Sequence, residues 1–287
     1  GSGASSPTRR APAPAPKSKR KIGMADELGE TADIMVNGVT PKGAPPANRP
    51  NRPSNANALR PNMAKSSPFS DMYSELPTIY RRLSNHDWRQ RKAGLTQLKE
   101  MVLEDAASLA ACGKVNQVVD HIADRLSDGN SKVSMQALQM LEGEVVPSVA
   151  EYVDPGTVNS LTQAVAQCMG SSNKATAIQA NETLRSMTEF LDPTTLTQPF
   201  VTLAEHHANS RVRVAVLEHL SKSILEVYSS SKPNLLTKYV VPLAAKLSTE
   251  PKQDIQGANR VLIRALKGAM GDEFNEGMRA HVLSRPL

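Results

Sequence analysis

His206-His207 and His219 offer imidazole nitrogens to a metal ion, but no cysteine or paired carboxylate stands beside them at ligand spacing. A zinc shell needs such partners, so the three are read as partly exposed helix histidines. Cys112 and Cys168 each fall inside an apolar helical pattern, which predicts two buried thiols in a reducing compartment. The sequence has no glycine-rich phosphate loop and no nucleophile elbow. Gly129-Asn130 and Gly271-Asp272 read as turns. These observations argue against an enzyme and give no reason to expect a cofactor, a metal or a small-molecule substrate. The chemistry that remains is recognition. His86-Asp87-Trp88-Arg89-Gln90-Arg91-Lys92 contains the only tryptophan of the 287 residues, beside four basic side chains, at a polar break between two apolar segments. A large apolar ring with a single N–H donor favours burial or a partner over a solvated turn. Trp88 is therefore either a residue that packs one structural unit on the next or an anchor for a partner.

The elements that position this stretch begin near Asp71. From there apolar residues recur at helical spacing in pieces of about 14–20 residues, separated by short polar breaks. Leu76, Ile79, Tyr80 and Leu83 are followed across residues 84–87 by Leu95, Leu98, Met101 and Val102. Val115, Val118, Val119, Ile122 and Leu126 precede Val133, Ala137, Leu138, Leu141 and Val145. Val158, Leu161, Val165 and Met169 precede Ile178, Leu184, Met187 and Leu191. Leu196, Phe200 and Leu203 precede Val212, Val216, Leu220, Ile224 and Val227, and Leu236, Val240, Leu243 and Leu247 precede Ile255, Ala258, Leu262 and Leu266. Asn, Ser and Asp at the breaks are the expected N-caps of the second helix in each pair. No segment alternates as a strand would.

The second helices superpose on Leu98, Leu141, Leu184, Leu220 and Leu262, at spacings of 43, 43, 36 and 42 residues. Helix pairs recurring at about 40 residues are the signature of HEAT-type arrays, in which one pair buries its apolar face only against its neighbours. The predicted fold is an all-α HEAT-repeat α-solenoid of about five to six pairs over residues 68–287. Residues 271–287 are read as part of a sixth pair or a terminal cap. In such a stack the intra-pair turns share one edge, which would carry Trp88, Ser131, Lys174, Ser210, Arg211 and Lys252.

Residues 1–67 have a different character. Residues 1–65 hold 11 of the 34 Lys and Arg against four acids, and ten of the 20 prolines. This basic, Pro/Ala/Ser-rich stretch is predicted to be disordered, so the high pI describes the tail. Within it, residues 24–36 are acidic with a few apolar side chains and are read as linker. The tail lacks the interleaved aromatics of single-strand binders, so nucleic acid is disfavoured as a partner. No run reaches the roughly 18–20 apolar residues of a membrane span and the N-terminus lacks the apolar core of a secretory signal, so a cytoplasmic protein is expected.

The ordered part resembles the TOG domains, the tubulin-binding modules of microtubule polymerases, CLASP proteins and crescerins. The resemblance rests on His86-Asp87-Trp88-Arg89-Gln90-Arg91 in the first turn, Asp128-Gly129-Asn130-Ser131-Lys132-Val133 in the second, Asn173-Lys174 in the third and Asn209-Ser210-Arg211-Val212-Arg213 in the fourth. It implies a protein that binds αβ-tubulin or microtubules at the cytoskeleton. By the resemblance, Trp88 and Val133 meet tubulin through apolar contact, and Lys132, Lys174, Arg211 and Arg213 meet its acidic surface, with Arg89, Asn130 and Asn173 on the same turns. The fifth turn departs from the family pattern: Gln256 stands where many members have a basic residue, leaving Lys252 for that role. The alternative is a generic HEAT or armadillo-like scaffold that binds a partner protein or peptide on its concave face, with the basic tail binding an acidic polymer.

Overall fold

The computed structural model describes residues 74–231 and 233–283. The expected disordered tail, residues 1–67, and its boundary with the array lie outside them. The described residues form helices with no strand among them. In chain order these are α1 (Leu76–Leu83), α2 (Trp88–Ala111) and α3 (Val115–Asp124). Next come α4 (Ser131–Met140, running on through Leu141–Val145 to Val146–Val149), α5 (Pro155–Met169) and α6 (Lys174–Phe190). They are followed by α7 (Pro193–His206), α8 (Ser210–Ser231), α9 (Pro233–Leu235, through Leu236–Val240, to Val241–Leu247), α10 (Gln253–Met270) and α11 (Asp272–Leu283).

The pairs are α1–α2, α3–α4, α5–α6, α7–α8 and α9–α10; four pack directly, and α3 and α4 are joined through the short 3-10 turn Arg125–Ser127, which packs on both. The second helices stack α2 on α4, α4 on α6, α6 on α8 and α8 on α10, while the first helices stack α3 on α5, α5 on α7 and α7 on α9. This is the expected HEAT-type solenoid, with five pairs among the described residues where about five to six were expected. Leu98, Leu141, Leu184, Leu220 and Leu262 are each 0 % exposed, so the leucines that set the repeat form the spine of one continuous core. After α10, α11 packs against α9 and α10, burying Phe274. Gly277 lies against α9, where an added Cβ would sit 3.4 Å from Val241.

Three local departures from regular helix have identifiable causes. In α2, Asp105 leaves helical geometry (φ −159°, ψ 78°) and its carboxylate accepts hydrogen bonds from the Ser108 amide and hydroxyl. A new N-cap thereby starts a last short helical turn. In α4 and α9 the backbone widens into a π turn immediately before Val146-Pro147 and Val241-Pro242. Proline has no N–H and its ring crowds the preceding turn, and the wider turn accommodates both effects. At the first pair, Gly94 allows α2 to approach α1 so closely that a Cβ there would lie 2.9 Å from a Leu83 methyl carbon.

Two expectations about single residues are corrected. Cys168 is buried, but Cys112 is exposed just beyond the end of α2. Ile178, assigned to the core from its apolar character, is 54 % exposed. It precedes Leu184 by six residues, about one and two-thirds turns, which puts the two on different sides of α6. The core line of that helix is Thr176, Ala180, Thr183, Leu184 and Met187.

Candidate functional site

Four of the second helices start at residues the repeat pointed to, Trp88, Ser131, Lys174 and Ser210, and the fifth starts at Gln253, one residue after the expected Lys252. Four of the five intervening turns are built alike. The N-cap side chain accepts from the amide two residues on: Asp87 from Arg89 (2.9 Å), Asn130 from Lys132 (3.0 Å), Asn173 from Ala175 (3.0 Å) and Asn209 from Arg211 (3.0 Å). The N-cap amide in turn donates to the side chain two residues earlier: Asn85 Oδ1 (2.8 Å), Asp128 Oδ1 (2.8 Å), Ser171 Oγ (3.2 Å) and His207 Nδ1 (3.1 Å). Each turn is thus capped twice, once into the helix and once back into the loop. The fifth turn differs because its N-cap is Lys252, which has no acceptor and makes no cap hydrogen bond. The N-caps were legible in the sequence as Asn and Asp before a helical pattern. The residues two positions upstream were not, because Asn, Asp, Ser and His share no composition signal.

The first two residues of each helix project from this frame. Trp88 is half-buried: its ring packs against the core, while Arg89 Cζ lies 5.0 Å and Lys132 Nζ 5.1 Å from the ring centroid. It therefore ties turn one to turn two, as a packing residue would, and remains partly exposed. The Arg89 side chain is 73 % exposed, 3.9 Å from Asp87. Lys132, Lys174, Arg211 and Lys252 are exposed, and none has an ion-pair partner among the described residues. Cation–π stacking holds Lys132 over the indole and leaves its charge uncompensated.

Two of the expected contact residues face inward. Val133 is 0 % exposed and cannot offer an apolar contact. It is the third residue of its helix, and the third residues of α6, α8 and α10 (Thr176, Val212 and Ile255) are likewise buried. That position points into the core throughout this part of the array. Arg213 is spent within the chain: its Nη2 donates to Glu250 at 2.8 Å and its Nε to the Ala204 carbonyl at 2.7 Å, leaving the side chain 11 % exposed. Asn130 and Asn173 remain on the edge with their carbonyl oxygens committed to capping.

Arg213 has a counterpart that the sequence reading missed. Arg91, also the fourth residue of its helix, makes a bidentate bond to Asp128 (2.6 and 2.7 Å) and donates to the Asn85 and His86 carbonyls (2.8 and 2.9 Å). In both cases the acid lies two residues before the next N-cap, so each pair latches one turn to the following one. The Asp128 side chain is 2 % exposed. Burial alone would raise its carboxyl, but the Arg91 bonds, the Asn130 amide and the Arg125 charge outweigh burial and hold it below the usual carboxylate range. His219 also differs from expectation. It is buried between α6 and α8 with Nδ1 3.2 Å from the Thr188 hydroxyl, and burial first, then Lys222 and Arg185, push it down to about 4.

Between the third and fourth turns the edge opens into a groove of about 600 Å³ lined by Lys174, Ile178, Asn181 and Arg211. A second groove of about 520 Å³ lies between the second and third turns, beside Lys132, Gln136 and Asn173.

A helix-pair solenoid with its intra-pair turns gathered on one cationic edge defines a TOG-type HEAT-repeat domain. The chain belongs to the CLASP N-terminal family, whose model matches residues 69–268. It is similar to the CLIP-associated protein of Arabidopsis thaliana, 26 % identical over 197 residues, which is 69 % of this chain and 13 % of that protein. It is also similar to the human TOG array regulator of axonemal microtubules protein 1, 27 % identical over 160 residues, which is 55 % of this chain and 9 % of that protein. The chain thus spans only a small part of the length of these relatives. Among solved structures, the TOG domain of C. elegans Zyg9 superposes with a TM-score of 0.55 at 14 % identity, over 73 % of this chain and 79 % of that one. A crescerin TOG domain gives 0.51 at 19 % identity, over 74 % and 84 %. These likenesses show the fold.

Proposed function

We propose that this domain binds tubulin through its turn edge and thereby regulates microtubule assembly at the cytoskeleton. The observation that carries the reading is the row of helix starts at which Trp88 is partly exposed and Arg89, Lys132, Lys174, Arg211 and Lys252 stay exposed. Membership of the CLASP N-terminal family supports it. So does the naming of one relative as a regulator of axonemal microtubules. Five helix N-termini on the same edge add their partial positive charge to that of the side chains. Such a surface complements an acidic partner, and an aromatic at one end of a row of cations supplies the apolar anchor and the charge that interaction hot spots combine. Val133 and Arg213 have no direct contact in this scheme. The basic excess of residues 1–65 adds sequence-independent attraction to an acidic lattice.

Size-exclusion chromatography with purified αβ-tubulin tests the proposal. The wild-type domain co-elutes, and Trp88→Ala weakens the affinity at least tenfold, as loss of an aromatic anchor does, while far-UV circular dichroism stays unchanged. Absence of wild-type co-elution refutes the function. Unchanged affinity of a folded Trp88→Ala variant removes Trp88 from the interface.

A further inference from the structure

We infer that the groove between the third and fourth turns seats an acidic, extended segment of the docked partner that carries one aliphatic side chain, with Ile178 as the apolar contact. This rests on the tubulin reading above. It adds a residue outside the turn motifs that carry the resemblance and a chemistry for what it meets.

The groove is open and about 600 Å³ in volume, enough for a few side chains. Ile178 is 54 % exposed on its wall, an unusual place for a large aliphatic group in a helix that has a well-formed core face. Lys174 projects from the start of α6 and Arg211 from the start of α8, so the two cations stand on adjacent turns, and neither is neutralised by an ion pair among the described residues. The one carboxylate in the groove, Glu182, is held by Arg185 at 2.8 Å. Asn181 and Asn209 supply amide groups between the charges. An apolar contact between two unpaired cations selects against a plain polyanion such as a nucleic-acid backbone, which gains nothing from Ile178. It also selects against a purely apolar ligand, which leaves Lys174 and Arg211 desolvated without partners. An acidic segment with one aliphatic side chain satisfies both.

Gly170, at the end of α5, faces the fourth turn's cap, where a Cβ would stand in ordinary contact with Asn209 Nδ2 at 3.5 Å.

Two substitutions at Ile178 separate the parts of this inference, and its exposure makes both compatible with folding. Tubulin affinity is measured for wild type, Ile178→Glu and Ile178→Lys, with thermal melts as the folding control. Ile178→Glu places a negative charge beside the segment and lowers affinity at least tenfold. Ile178→Lys loses the apolar contact and gains attraction, and lowers affinity by about threefold or less. Equal losses for both variants overturn the acidic character of the segment. No loss in either overturns the site while leaving tubulin binding intact, whereas absence of wild-type binding refutes the parent reading instead.

Discussion

Replacing Arg91 by alanine removes the latch between the first two turns and tests whether the edge is held by buried charge. Four hydrogen bonds go: two to Asp128 and one each to the carbonyls of Asn85 and His86. What remains is a carboxylate 2 % exposed, with the Asn130 amide at 2.8 Å and Arg125 at 3.9 Å as its support. Breaking a buried pair from one side costs about 3–5 kcal/mol, because the other charge stays buried. Arg125 and the partial exposure of Arg91 place this case at the low end, about 3 kcal/mol. For a domain of this size that lowers the melting temperature by about 6–12 °C. The pH dependence gives a second readout. The folded Asp128 pKa is depressed, so its stabilisation is complete above the unfolded value of about 3.9 and is lost as pH falls through the folded value. Without Arg91 the depression is lost, so the stability gap between wild type and variant narrows as pH drops below about 4. The assay is urea denaturation followed by circular dichroism at pH 7 and at pH 3.5, for Arg91→Ala, Asp128→Ala and the double variant. The double variant, relieved of the orphaned charge, is more stable than Arg91→Ala alone. A loss below about 1 kcal/mol for Arg91→Ala, or a double variant no more stable than it, refutes the latch.

His219, pushed down to about 4 in the fold, is neutral where an unfolded histidine would be charged. Its contribution is complete above about 6.5 and falls away as pH drops toward 4, by about 3 kcal/mol; His219→Gln flattens that part of the stability–pH curve, and an unchanged slope contradicts the assignment. Val133→Ala opens a hole at a fully buried site and costs about 2 kcal/mol, without changing the tubulin affinity of the folded protein; lower affinity at intact stability restores it as a contact. Asn173→Ala removes acceptors for the Ala175 and Thr176 amides and costs about 1 kcal/mol, measured by thermal melt; no loss of stability means the cap is dispensable.

The repeat and its turn edge were readable because one residue type marks them at helical phase. Leu98, Leu141, Leu184, Leu220 and Leu262 fix the register, and the caps Asp87, Asn130, Asn173 and Asn209 fix the helix starts. Orientation within the first helical turn was less legible. Val133 and Arg213 each stand near a cap in a motif that points outward as a string of letters, yet the third helical position faces the core and Arg213 reaches an acid 37 residues away. The Arg91–Asp128 pair spans the same separation, and neither partner is unusual where it occurs. Ile178 erred in the opposite direction: residue type suggested core, while its six-residue offset from Leu184 already implied another face.

The double caps have a consequence for how such an edge can change. At four turns the side-chain acceptors occupy the backbone amides of the N-cap and of the second helical residue. The structural work of the turn is thus done by two positions, two residues apart. The pair that follows each cap is Trp-Arg, Ser-Lys, Lys-Ala or Ser-Arg. These variable pairs sit like interchangeable pins in a common socket. Substitution at the exposed pins changes the chemistry the edge presents while the socket stays as it was; Trp88, whose ring also packs on the core, is the pin for which this does not hold.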